Sequence, residues 1–183
     1  GISMKKIFAV IFIIFITTVS AFAVPGQKIW PQPKHIDVYI QPGYERSTMA
    51  KNAFREWTRL TKNKMVFYFV DDITISQIDV RFVEKVPGNT SPGVIGLTMC
   101  QYTRTGKMRH ATVWIPTHTK GGAKLSRDEV YTSMLHEIGH AVGIVQHSTN
   151  KNNIMYPSID EKREITKYDL GELYRMYGWK WDY

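Results

Sequence analysis

Apolar positions along this chain alternate in short runs, then recur at helical spacing, and the two patterns interleave. Ile36, Val38 and Ile40 alternate with Asp37 and Tyr39, which predicts a short strand that Pro42-Gly43 breaks. From Ser47 to about Thr61, Ala50, Ala53, Phe54, Trp57 and Leu60 fall on one helical stripe, with Ser47 as the expected cap. Met65 to Val70 is a continuous apolar run, as expected of a strand covered on both faces. Ile78 to Val83 alternates again and reads as a strand. A loop from Pro87 to Pro92 follows, then strands at Val94–Met99 and Ala111–Ile115 about a turn at Thr105-Gly106-Lys107. Gly121-Gly122 leads into a helix opened by a Ser126–Glu129 capping box, which runs through Tyr131, Leu135 and His140 to near Gly143. The charged stretch Asp160 to Glu164 reads as a solvated loop. Thr166 caps a last helix, with Asp169 placed to favour its positive end. Leu170, Leu173, Tyr174 and Tyr177 form the apolar face of that helix, and Gly178 ends it.

The beginning of the chain follows another pattern. Met4-Lys5-Lys6, an apolar run from Ile7 to Val19 and the small-x-small group Ala21-Phe22-Ala23 predict a signal peptide over residues 1–23. Gly1-Ile2-Ser3 precede Met4 and read as a cloning scar or an upstream extension. The expectation is an exported protein, periplasmic or secreted, with no stable membrane span after cleavage. Trp30-Pro31-Gln32-Pro33 is an extended lead-in, because each proline biases its predecessor away from helix. Residues 24–183 are read as one domain, of a size that supports a hydrophobic core.

Composition narrows the class. A chain that is 43% hydrophobic and 13% aromatic is globular rather than disordered. The net charge of +8 falls to about +6 once Lys5 and Lys6 leave with the signal peptide. The basic residues are dispersed and no nucleic-acid motif accompanies them, so nucleic-acid binding is not expected. Cys100 is the only cysteine, so no internal disulfide can form, and it is expected as a small buried or half-buried residue. His35, His110 and His118 are expected as surface or core histidines.

The chemistry gathers at His136-Glu137-Ile138-Gly139-His140. Histidines four apart project from one helix face, so both imidazoles can reach a single metal ion. Glu137 sits beside them as a base for water at that metal. Gly143 can take the left-handed conformation that ends the helix, and the chain can then turn to bring His147 back as a third nitrogen ligand. Three protein ligands leave one position open, which is the layout of a catalytic zinc site. Ile154-Met155-Tyr156-Pro157 reads as a tight methionine-containing turn beneath it.

This constellation resembles the metzincin zinc peptidases and, within them, the matrixins. Their signature is HExxHxxGxxH followed by a Met-turn. His136, Glu137, His140, Gly143 and Met155 match it, whereas the third ligand's place holds Gln146 and His147 comes one residue later. Some bacterial matrixin-like sequences carry a similar extension before His-Ser, so His147-Ser148 is read as the match. The segments Ala53-Phe54-Arg55-Glu56-Trp57, Ile78-Asp79-Val80 and Asp169-Leu170 with Leu173-Tyr174 also resemble matrixin segments, so the likeness covers roughly residues 29–178.

The resemblance implies an α+β fold: a twisted, mostly parallel five-stranded sheet with an antiparallel edge strand, an active-site helix, a Met-turn and a C-terminal helix. It implies a secreted zinc-dependent endopeptidase that hydrolyses peptide bonds through a zinc-activated water, with Glu137 as general base and His136, His140 and His147 as ligands. Met155 would floor the site. Tyr156, Pro157 and Ser158 would line the pocket for the side chain after the scissile bond, and Gly96 and Leu97 would border the substrate, bound as an extended strand. One catalytic zinc is expected. Calcium finds no supporting ligand set. No pro-domain is visible, so a dedicated inhibitor protein is one hypothesis for control, and the chain is expected to be a monomer. Two alternatives stay open: a zinc peptidase with a distal carboxylate, Glu161 or Glu164, as third ligand, and a non-catalytic envelope or adhesin-like protein that keeps the fold.

Overall fold

The computed structural model describes residues 28–43, 45–87, 96–119, 121–158 and 162–181. The expected signal peptide, residues 94–95 of the expected fourth strand, and residues 159–161 lie outside the described residues. Among the described residues no helix is long and apolar enough to cross a membrane.

Strand β1 (Ile36–Ile40), helix α1 (Arg46–Leu60) and strand β2 (Phe67–Val70) form a parallel crossover unit. A short 3-10 turn, Ile73–Ile75, leads to β3 (Ile78–Val83), which lies parallel to β1 on its other side. Strands β4 (Leu97–Tyr102) and β5 (Met108–Pro116) make an antiparallel hairpin, and β5 continues the sheet parallel to β3. The sheet order is β2-β1-β3-β5-β4, so β4 is an edge strand. This is the expected α+β sheet, mostly parallel with one antiparallel edge.

The central strands alternate as their sequence requires. Ile36, Val38, Ile78, Val113 and Ile115 are all buried. They pack under Ala50, Ala53, Phe54 and Trp57 of α1. Two details differ from the sequence reading. Ser47 does not cap α1. The cap position is Glu45, two residues earlier, and the Ser47 hydroxyl instead donates to the Gln41 carbonyl at 2.9 Å, tying the helix start to the end of β1. Met65 is fully buried but precedes β2, and β2 is the other edge strand with Tyr68 46% exposed, so the run is not covered on both faces as expected.

Helix α2 (Arg127–Ala141) is buried nearly all round, from Val130 to Ala141. Its start is the expected capping box. Glu129 N–H donates to Ser126 Oγ at 3.2 Å, and the Glu129 carboxylate accepts from Ser126 N–H at 2.7 Å. Two indoles hold its backbone: Trp57 Nε1 donates to Leu135 O at 3.1 Å, and Trp30 Nε1 to Ala141 O at 2.9 Å. The second uses a carbonyl that the helix end leaves without an internal partner. Tyr177, on helix α3 (Lys167–Tyr177), donates to Val142 O at 2.8 Å and accepts from Trp30 N–H at 3.1 Å. The lead-in segment and the last helix therefore meet at the point where α2 stops.

Candidate metal centre

The stop itself is made by Gly143, which adopts φ +119°. A side chain there is doubly excluded, because a Cβ would lie 2.4 Å from the Lys28 carbonyl oxygen. Gly143 N–H bonds His140 O at 3.0 Å and Ile144 N–H bonds Gly139 O at 3.0 Å, which closes the helix. The chain then folds back on the site. Ser148 N–H donates to the Met155 carbonyl at 2.8 Å, fixing the residue after His147 to the methionine turn.

The result is convergence. His140 Nε2 lies 3.2 Å from His136 Nε2 and 3.2 Å from His147 Nε2. One ligand atom from each of the three lies within 4.8 Å of the others. The extra residue before His147 is absorbed by exposed Val145 and Gln146. Glu164 is exposed and takes no part in the cluster, and Glu161 lies outside the described residues.

Proton placement explains why these rings face one another. His136 Nδ1 is 2.7 Å from Ile154 O, and His140 Nδ1 is 2.7 Å from Ile144 O. A carbonyl only accepts, so each Nδ1 carries the proton and each Nε2 presents a lone pair. Lone pairs at 3.2 Å repel unless a cation lies among them. Ligand nitrogens at zinc's usual 2.0–2.1 Å, in tetrahedral array, stand about 3.3 Å apart. Burial, with the neighbouring His140, pushes His136 down to about 3. Burial likewise pushes His140 to about 4 and lowers the more exposed His147. All three are neutral near pH 7 and free to ligate.

Residues 36–178 match the matrixin family model. This chain belongs to the matrixin family. It has the fold of a zinc metalloprotease, and the donor set fits the zinc that the family implies. Among curated protein sequences none matches. Among solved structures the chain is similar to two of myroilysin. One is 19% identical with a TM-score of 0.45, covering 70% of this chain and 58% of that one. The other is 14% identical with a TM-score of 0.49, covering 83% and 86%. It is also similar to high choriolytic enzyme 1, a hatching-enzyme zinc protease of the medaka fish Oryzias latipes, at 13% identity, TM-score 0.47 and coverage of 85% and 96%.

The methionine turn lies where the matrixin pattern puts it. Met155 is buried under α2, and a Cβ on Gly139 would come within 2.3 Å of its sulfur. Gly139, one residue before His140, thus lets the floor approach the helix. The sequence reading missed what holds that floor. Asp169, expected only to favour the start of α3, is buried and reaches further. Its carboxylate accepts from Thr166 N–H at 2.8 Å, Ile154 N–H at 3.2 Å and Met155 N–H at 3.3 Å. The peptide whose N–H is Met155's has as its C=O the Ile154 oxygen that holds His136. A buried carboxylate therefore reaches His136 through one peptide group. The place of Asp169 at the start of α3 is legible in the sequence; its part in a capping box with Thr166 and its reach to the methionine turn are not.

Gly96, expected to border the substrate, lies against Glu137 itself: a Cβ there would stand 2.4 Å from Oε1. Leu97 opens β4, half-buried. Tyr156 is half-buried, with Pro157 and Ser158 exposed beside it. Arg163 corrects the reading of a solvated 160–164 loop, because it is buried. Its guanidinium lies 5.1 Å from the Tyr156 ring centre and donates to Ser158 O, while its own N–H reaches Thr132 Oγ1 on α2 at 3.2 Å. A cation whose stem packs and whose head stacks can be buried without solvation. Cys100 is half-buried as expected, with Sγ 3.6 Å from His140 O. His35 stacks on Tyr68, and His110 lies 3.6 Å from Asp79.

Proposed function

We propose that this chain is an exported endopeptidase that cuts peptide bonds with Glu137 as general base and His136, His140 and His147 as the zinc ligands. The observation that carries the reading is the convergence of the three histidine Nε2 atoms, with the buried Glu137 carboxylate next to His136 in the chain. Bound zinc would supply Lewis acidity to a water and to the scissile carbonyl. The remaining work belongs to the chain. Burial raises Glu137 to about 7, with the Thr98 hydroxyl drawing it partly back. A cation at the histidines would lower it further. A carboxylate in that range takes a proton from the attacking water and returns it to the departing amine.

The substrate would add to the free side of β4 as an extended strand, since β5 occupies the other side. Leu97 and Met99 would flank the peptide there. Tyr156, Pro157 and Ser158, braced by Arg163, would form the wall that meets the side chain after the cut bond. Export rests on the N-terminal signal pattern of the sequence.

The test is cleavage of an unfolded protein by the zinc-loaded chain, compared with a chelator-treated sample and with Glu137→Ala. Loss of a general base removes roughly 10²–10⁴-fold of rate, so Glu137→Ala should bind zinc and cut at most weakly. A Glu137→Ala protein as active as the parent would overturn the assignment of the base.

A further inference from the structure

Glu137 is held by the same strand that would receive the substrate. Along β4 and the residue that leads into it, alternate positions meet α2 in succession. Gly96 sits against the Glu137 carboxylate, Thr98 follows, and Cys100 lies over the His140 carbonyl. Thr98 Oγ1 is 2.7 Å from Glu137 Oε2 and 3.0 Å from the Glu137 carbonyl. A hydroxyl has one hydrogen, and the nearer, more basic carboxylate oxygen is the better acceptor. A threonine on a strand has few χ1 choices, so the donor is already oriented. Gly96, with no side chain, lets the Glu137 carboxylate pack against it with Oε1 on that side.

We infer that Thr98 is a positioning residue for hydrolysis: it ties Glu137 Oε2 down so that Oε1, beside Gly96, is the oxygen that takes and returns the proton. This rests on Glu137 being the base. The site then depends on β4 twice, once for the peptide backbone and once for the aim of the carboxylate. A glutamate side chain has three rotatable bonds, and a misplacement of about 1 Å in a reacting group costs on the order of 100-fold in rate.

Thr98→Val keeps the shape and removes the donor; Thr98→Ser keeps the donor. In the zinc-loaded protein, Thr98→Val should lower kcat by about 10- to 100-fold, leave KM and zinc content nearly unchanged, and be largely rescued by Thr98→Ser. A second readout needs no turnover. In the metal-free protein, Thr98→Val should lower the unfolding midpoint by about 3–6 °C when Glu137 is present, and by clearly less in a Glu137→Ala background. If Thr98→Val does not fold, Thr98→Ala serves the same comparisons. An unchanged kcat beside an inactive Glu137→Ala overturns this inference and spares the general base. An equal midpoint shift in both backgrounds overturns it as well. An active Glu137→Ala overturns the base, and the inference with it.

Discussion

The three histidines that face one another are built in two different ways. His136 and His140 stand on a capped, buried helix, one turn apart, and each has its Nδ1 fixed by a backbone carbonyl at 2.7 Å. His147 stands on an exposed turn, and its place depends on Gly143 ending the helix and on Ser148 N–H holding Met155 O. His136 is 4% exposed, whereas His147 is open to solvent. Regular structure supplies two imidazoles at a spacing that the helix dictates. The third is supplied by a backbone path, which tolerates one extra residue as long as its two anchors remain.

The largest effect that would break this comparison is on metal retention. Removing a ligand should cost more than the roughly 10- to 100-fold lost when an outer partner of a ligand is removed. His136→Ala removes a ligand already fixed by the fold, so it should weaken zinc binding most. His147→Ala should also abolish useful turnover, yet leave two fixed nitrogens and measurable residual zinc. Competitive titration against a chromophoric chelator checks the order. Equal losses for both variants would mean that the turn is as firmly built as the helix.

This contrast also explains what the sequence could tell. Positions of the two helical histidines, Glu137, the Ser126–Glu129 capping box and the central strands follow from period and local chemistry, and the structure keeps them. The family pattern points to Met155, and Gly139 shows how it fits, since a Cβ there would collide with the sulfur. What stayed hidden was contact between distant residues. Thr98 lies 39 positions from Glu137, and Asp169 lies 15 from Ile154. Nothing in spacing predicts such pairs. Arg163 was read as solvated because charge in a charged stretch carries no sign of the tyrosine it packs on. Ser47 had the right chemistry for a cap and found a nearer carbonyl instead.

Asp169 sharpens the comparison at the next level of effect. It supports the helix-borne His136 through the Ile154–Met155 peptide, and it caps α3 through Thr166. Asp169→Ala leaves three buried or half-buried amides without their acceptor. The expected cost is about 3 kcal/mol of stability, read by denaturant unfolding of the metal-free protein. Zinc affinity should fall about 10- to 100-fold, because an orienting partner of a ligand is lost. A stability loss with unchanged affinity would limit Asp169 to the fold.

The smallest expected effect concerns acid and the third histidine. In the metal-free protein, burial holds His136 at about 3 and His140 at about 4, against an unfolded value near 6.5. The unfolded chain therefore takes up protons that the folded chain refuses. Stability from these two is fully present above about pH 6.5 and falls as pH drops toward 4. Glu137, raised to about 7, works in the opposite direction. Its folded form keeps a proton that the unfolded chain releases above about 4.5, so it offsets part of the slope across that window. His147 is lowered only by its modest burial and adds little. His136→Gln should accordingly flatten the acid limb of the stability–pH curve, and His147→Gln should leave it nearly superimposed on the parent. A marked flattening by His147→Gln would show that the turn buries its imidazole as the helix does, and the two ways of building a ligand would become one.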